Sequence, residues 1–325
     1  MREHRVRSSQ APENSMELRQ PTTGLLAAWR WQLPFGPRPM WHDLDLRVRI
    51  RSGQPASDWP TPWFIDRWPA AEIDPAAARR AAEVLAEAGV MPRGLPNGWG
   101  GDGAGRYLCP YDPDRAGLVL EHLRMATAID VRLHGSVDRD RDLCWPPDVS
   151  NWDQLASKFQ VLRELAPQAA LLASLDAAQA DTGLDRLWTM PIDGVLIRSA
   201  FGSRAQRATL LAELLQAHRG AASRAEKAIL VASPLDTVED AVKLLCCGAS
   251  AVGLDDLLRD AWPRRTTKPS PAAIDPWAVP APVKPPEDRF EPTVRQVLHE
   301  CGAWFDRLAV RSVDELPADS VLAPR

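Results

Sequence analysis

Two arginines stand at the ends of apolar runs, where they could do chemistry. Arg132 closes Ala128-Ile129-Asp130-Val131-Arg132, and Arg198 closes Val195-Leu196-Ile197-Arg198. Ser199 and Ser233 directly follow runs of the same kind. An arginine offers a planar fork that can hold a carboxylate or phosphate through two hydrogen bonds. The alternative for both arginines is pairing within the chain, with Asp130, Asp193, Asp236 or Asp255. His134-Gly135-Ser136, beside Asp138 and Asp140, has the residue types of acid–base machinery. Its alternating Asp and Arg residues over 138–142 read equally well as a solvated loop. The glycine-rich stretch 94–105 includes Gly98, Gly100 and Gly101, which could bring bare backbone against a ligand or simply turn the chain.

Metal chemistry finds no support. The six histidines never fall at HxxxH or HExxH spacing. The five cysteines (Cys109, Cys144, Cys246, Cys247, Cys301) are odd in number and widely spaced, without a CxxC pair. They are expected to be reduced, structural thiols.

If the arginines are to act together, the elements must bring strand ends to one place. Short apolar strands are predicted at 62–68, 128–133, 169–175, 192–199, 228–233 and 251–254. Amphipathic helices are predicted between them, at 75–88, 150–165, 176–187, 205–219, 237–247 and 255–262. Asp74-Pro75 has the form of an N-cap followed by proline, and Gly89 and Gly248 stop their helices. Such alternation with short connections requires a parallel sheet, and four successive units over 169–262 favour a closed (β/α)8 barrel of the TIM type. In a barrel, strand C-termini converge on one mouth, so Arg132, Arg198, Ser199 and Ser233 are expected there.

The flanks differ. Residues 1–60 are irregular and rich in Trp and Pro, with a half-buried strand expected at 44–50, and read as an arm packed on the barrel. The barrel takes 61–262, a Pro-rich wrap 263–288, and a terminal helix with its tail 289–325. With 325 residues, 45% of them hydrophobic, the chain can bury a large core. Its 39 Lys+Arg against 43 Asp+Glu give a net charge of −4, which excludes a general nucleic-acid binder. No apolar run reaches the length of a membrane span and no signal-peptide core follows the charged start, so a cytoplasmic protein is expected. Thirty prolines against 19 glycines suit a rigid scaffold better than a phosphate-cradling backbone.

Several segments, in order, resemble the FMN-binding synthase domain of glutamate synthase. They are Trp41-His42-Asp43-Leu44, Thr61-Pro62-Trp63-Phe64-Ile65, Asn97-Gly98-Trp99-Gly100-Gly101 and Ile129-Asp130-Val131-Arg132. Trp145-Pro146-Pro147-Asp148, Cys247–Leu254 and Val310-Arg311-Ser312-Val313-Asp314-Glu315-Leu316 continue the series, so the likeness spans about residues 40–320. The resemblance implies the same barrel. It also implies FMN at the mouth, at positions matching Gly98, Gly100, Gly101, Arg132, Ser174, Arg198, Ser199, Gly202, Ser233 and Gly253. An active member would be an oxidoreductase acting on CH–NH2 donors.

The functional motifs depart from the family. Where it has a glycine-rich turn donating N–H groups to the flavin phosphate, this chain has Ser233-Pro234-Leu235-Asp236-Thr237, and proline has no N–H. Where the family receives the same phosphate before the last helix, Gly253-Leu254 is followed by Asp255-Asp256, two carboxylates in a phosphate's place. Ser174 stands where the family has a flavin-contacting lysine, and the loop with Gly202 is reduced. The cysteines for an iron–sulfur cluster are missing after the last barrel strand, the next being Cys301. The expectation is a glutamate synthase-like barrel with an eroded FMN site and no iron–sulfur cluster, acting as a non-catalytic or binding protein. Its partner would be an anionic small molecule at the mouth, not nucleic acid or a membrane. The alternatives are an FMN-dependent oxidoreductase with a rebuilt phosphate site, and a flavin-free enzyme with another anionic substrate.

Overall fold

The computed structural model describes residues 30–31, 47–50, 58–67, 75–94, 106–111, 120–135, 143–199, 204–262, 289–316 and 321–322. Within them lies a (β/α)8 barrel. Its strands are β1 (Trp63–Ile65), β2 (Met91–Pro92), β3 (Leu108–Tyr111), β4 (Ala128–Arg132), β5 (Ala170–Asp176), β6 (Gly194–Arg198), β7 (Ala228–Ala232) and β8 (Ala251–Gly253). Sequence neighbours pair in parallel, β2 with β3 excepted, and β8 pairs with β1. The ring closes between β2 and β3 through one bridge, Arg93↔Leu108, with the Gly94 N–H donating to Leu108 O at 2.7 Å.

The helices are α1 (Pro75–Glu87), α2 (Leu120–Met125), α3 (Trp152–Leu165), α4 (Ala180–Leu187), α5 (Arg204–Arg224), α6 (Val238–Cys246) and α7 (Phe290–Leu308). Their starts follow from local chemistry. Asn151 caps α3 by accepting the Gln154 N–H at 2.9 Å, and the Gln154 side chain accepts from the Ser150 N–H at 2.7 Å. After α6, Gly248 turns the chain at φ +115°. Helix α7 packs against α1 and α6, with Arg80 reaching Glu291 at 3.0 Å and Trp63 meeting Phe305 edge-on.

Strand alternation divides the barrel into two layers. Outward residues such as Val131, Leu171, Ile197 and Val231 join the helices in one apolar cluster. Inward residues Phe64, Met91, Leu108, Ala128, Leu172, Leu196, Leu230 and Ala251 form a second cluster. Val48, Ile50 and Trp59 complete it, from the antiparallel pair Val48–Arg49 and Asp58–Trp59 that leads into β1. The packing is tight: a Cβ on Gly194 would lie 2.8 Å from Ala228 O and 3.0 Å from Leu172 Cδ2. Above this floor the inward positions turn polar.

The structure places strands at all six barrel runs predicted, shifted or trimmed by a residue or more at their ends, and of the strand expected at 44–50 it has Val48–Arg49. Three elements escape the sequence pattern. Strands β2 and β3 and helix α2 are two, four and six residues long, too short to show a period. Two predicted helices are shorter or broken. The 176–187 segment begins as a 3-10 turn, Ala177–Gln179, capped by Asp176 accepting the Ala178 N–H. The 255–262 segment is a turn with only Arg259–Ala261 in 3-10 form, because the Asp255 carboxylate turns to another strand instead of capping a helix. The predicted wrap at 263–288 and the glycine loop at 95–105 lie outside the described residues, as does most of the arm.

Candidate functional site

Period-two alternation carries the inner face upward from the apolar floor to the strand C-termini. On β4 it runs Ala128, Asp130, Arg132; on β5 Ala170, Leu172, Ser174; on β6 Gly194, Leu196, Arg198. Directly after β1 and β2 it reaches Asp66 and Arg93. Four of these residues form one ion-pair network. Arg198 forks onto Asp66, with Nε to Oδ2 at 2.9 Å and Nη2 to Oδ1 at 2.6 Å, and its Nη2 also reaches Asp130 Oδ2 at 2.9 Å. Arg93 bridges the same two carboxylates, Nη1 to Asp66 Oδ1 at 2.8 Å and Nη2 to Asp130 Oδ2 at 3.0 Å. Asp66, Asp130 and Arg198 are 5%, 0% and 3% exposed, so these charges survive burial only because they are paired. Burial alone would raise the Asp66 carboxyl; Arg198, and then Arg93, hold it well below the usual carboxylate range. Burial likewise works against the Arg198 charge, but Asp130 and Asp66 raise its pKa overall.

A third carboxylate sits beside this network. Asp255 accepts the backbone N–H groups of Asp66, at 3.1 Å, and Arg67, tying the β8 loop to the end of β1. Its Oδ2 lies 3.0 Å from where a Cβ on Gly253 would be. The open space beside that glycine is thus taken by the chain's own carboxylate. Burial, and next the Asp66 charge, push the Asp255 carboxyl up to about 6, against the pull of the two N–H donors. An acid raised in the folded state binds more protons there than in the unfolded chain, so its contribution to stability falls as pH rises from about 4 to about 6. Asp66, shifted the other way, keeps its contribution throughout this window. Urea midpoints measured from pH 4 to pH 7 should therefore fall less for Asp255→Ala than for the parent. Parallel curves would show that Asp255 does not titrate in that range.

The other half of the expected phosphate site is also self-occupied. Thr237 caps α6 by accepting the Asp240 N–H at 3.2 Å. Asp240 Oδ2 in return accepts the Thr237 N–H at 3.2 Å and the Asp236 N–H at 3.4 Å. Pro234 offers no donor. The loops after strands 7 and 8 are where a (β/α)8 barrel commonly binds phosphate. Here the Asp236 and Thr237 donors after strand 7 are spent on Asp240, and the loop after strand 8 brings in the Asp255 carboxylate, so these two loops do not fit an FMN phosphate.

Of the positions expected at the mouth, Arg132, Ser174, Arg198 and Gly253 are on the inner face, and Ser233 is half-buried just after β7. Ser199 is buried after β6, its N–H donating to Ala232 O at 3.0 Å. Gly98, Gly100, Gly101 and Gly202 lie outside the described residues, as do Asp138 and Asp140. Arg198 pairs within the chain, with Asp130 as one of the anticipated partners. Asp193 instead binds Arg163 at 2.6 Å, and Arg132 makes no hydrogen bond or ion pair among the described residues. Sequence reading missed Asp66 and Arg93. Asp66 carried a usable signal, two residues beyond the inward Phe64, whereas Arg93 belongs to a strand too short to read.

Cys109, Cys246, Cys247 and Cys301 are buried and in no disulfide, and burial pushes Cys109 and Cys247 up to about 12, which makes them poor nucleophiles. Among the described residues no group of three or more His, Cys, Asp or Glu is placed to hold a metal, and no helix is long and apolar enough to cross a membrane.

The fold and its polar mouth thus define a (β/α)8 barrel with a charged C-terminal end. Solved structures of the same fold include a soluble mutant of the membrane-associated (S)-mandelate dehydrogenase from Pseudomonas putida. It is 17% identical, with 92% of this chain and 88% of that chain covered and a TM-score of 0.55. The recombinant flavin-binding domain of baker's yeast flavocytochrome b2 is 13% identical over 92% of this chain and 76% of that one, at a TM-score of 0.58. At such identities the likeness is one of fold. No protein-family model matches the sequence, and no curated protein matches it.

Proposed function

We propose that the chain is a non-catalytic binding protein on a flavoenzyme-type barrel, with the phosphate end of the flavin site replaced by carboxylates and the mouth open to an anionic small molecule. One observation carries this reading. The Asp255 carboxylate covers Gly253 and takes the Asp66 and Arg67 N–H groups, where the resemblance to glutamate synthase puts a phosphate. The Asp240 capping box supports it from the neighbouring loop. Ser174 in the lysine position removes a further flavin contact that the resemblance implies.

A second reading is an FMN-dependent oxidoreductase of glutamate synthase type, acting on CH–NH2 donors, with a rebuilt phosphate site. The fold shared with a flavin-binding domain favours it, as does Arg132 at the mouth, which makes no hydrogen bond or ion pair among the described residues. Arg198, a candidate to replace the lost N–H donors, is instead engaged by Asp66 and Asp130. Visible flavin absorbance of the purified protein, followed by fluorescence titration with added FMN, decides between the two. The binding-protein reading expects a colourless preparation and no FMN uptake. Stoichiometric flavin in either experiment would sink it.

A further inference from the structure

We propose that His134 and Cys144 form a nucleophilic thiol site at the rim of the barrel mouth, where Cys144 attacks a small electrophile and His134 holds the proton it gives up. The site goes beyond the anion-binding reading and stands or falls without it.

The juxtaposition comes from a short hairpin. Beyond β4 the strands His134–Gly135 and Leu143–Cys144 pair antiparallel, with His134 directly opposite Cys144. The Leu133 N–H donates to Ser174 O at 2.7 Å, which fixes the root of the hairpin at the C-terminal ends of β4 and β5. From there the His134–Gly135 strand lies against β5. Residues directly opposite in an antiparallel pair have Cβ atoms about 4.5–5.5 Å apart. A thiol and an imidazole can bridge that separation with a hydrogen bond.

The surrounding charges favour a thiolate. Arg132, two residues before His134, is exposed and makes no hydrogen bond or ion pair among the described residues. A cysteine near an imidazole and a guanidinium ionises more readily, because both cations stabilise its charged form. The nearby acids at the strand ends are engaged. Asp176, closing β5, accepts the Ala178 N–H at 3.0 Å, and Asp130 is held by Arg93 and Arg198. The sequence between the two hairpin strands carries Asp138, Arg139, Asp140, Arg141 and Asp142, three acids against two bases. A protein zinc site takes at least three protein ligands, and among the described residues no group of three surrounds this pair, so its chemistry is that of a nucleophile. The other cysteines supply the contrast, since Cys109, Cys246, Cys247 and Cys301 are all buried.

Iodoacetamide added to the native full chain, with the product read by peptide mass spectrometry, tests this. A C–S bond forms at Cys144, the C–I bond breaks, iodide leaves and the thiol proton stays on His134. An ordinary thiol is only a few per cent ionised at pH 7. Cys144 is expected to react about tenfold faster than free cysteine at that pH, full ionisation being partly offset by weaker nucleophilicity. Its rate should stay nearly level from pH 7 to pH 9. In His134→Gln the rate should start about tenfold lower and climb with pH, as for an ordinary thiol. The four buried cysteines should stay unlabelled in both proteins, which reports that the variant is folded. Absence of Cys144 labelling, or a parent rate no faster than free cysteine, would overturn the proposal without any variant. The same rate and pH profile in His134→Gln would overturn it equally.

Discussion

Arg198→Met is expected to destabilise the protein by about 3–5 kcal/mol, the cost of leaving a buried carboxylate without its partner. Arg198 is 3% exposed and makes the two-pronged contact to Asp66 as well as a bond to Asp130. Methionine fills a similar volume but leaves Asp66 and Asp130 to Arg93 alone. Arg93→Met should cost less than half as much, because the Arg93 side chain is 13% exposed against 4% for Arg198, and Arg198 would still bridge both aspartates. Urea unfolding of the two variants at pH 7 measures the difference. Equal losses, or a loss under about 1 kcal/mol for Arg198→Met, would mean that water reaches the network and screens it.

Combining Pro234→Gly with Asp255→Gly should create affinity for FMN that the parent chain lacks. The first change restores a backbone N–H in the loop after β7. The second removes the carboxylate over Gly253 and frees the N–H groups of Asp66 and Arg67. Two unit charges ~4 Å apart repel by about 4 kcal/mol at surface-like dielectric, so removing one is worth roughly a thousandfold in affinity. Quenching of FMN fluorescence reads this directly. No gain by the double variant would show that these loops do not stand where a flavin phosphate is held, and would remove the main support for an eroded site.

The barrel was legible in the sequence wherever strands run long. β4 to β7 are five to seven residues of nearly continuous apolar sequence, bounded by caps and glycines that local chemistry explains. Pro234 and Asp255 stand out in the sequence too, because neither suits a bare-backbone cradle. What Asp255 does is not legible: it opens a predicted helix at 255–262, but its partners, Asp66 and Arg67, are 189 and 188 residues away. The ion-pair network was half legible. Arg198 and Asp130 end or occupy readable strands, but Arg93 follows a strand of two residues. No periodicity can report which charge from the opposite side of a closed ring meets another; that is decided by how the strands stagger round the barrel.

The closure between β2 and β3 has a consequence for how the molecule breathes. Every other neighbouring pair is laced by a ladder of at least two residue pairs, while this one has the single rung Arg93↔Leu108. The residue that forms the rung also clamps Asp66 and Asp130. Electrostatics inside the barrel therefore do the lacing that backbone pairing does elsewhere. The circumference should part first along this line, with the Gly94 amide exchanging its hydrogen ahead of those in β5 and β6, and the parting should quicken when any member of the clamp is removed.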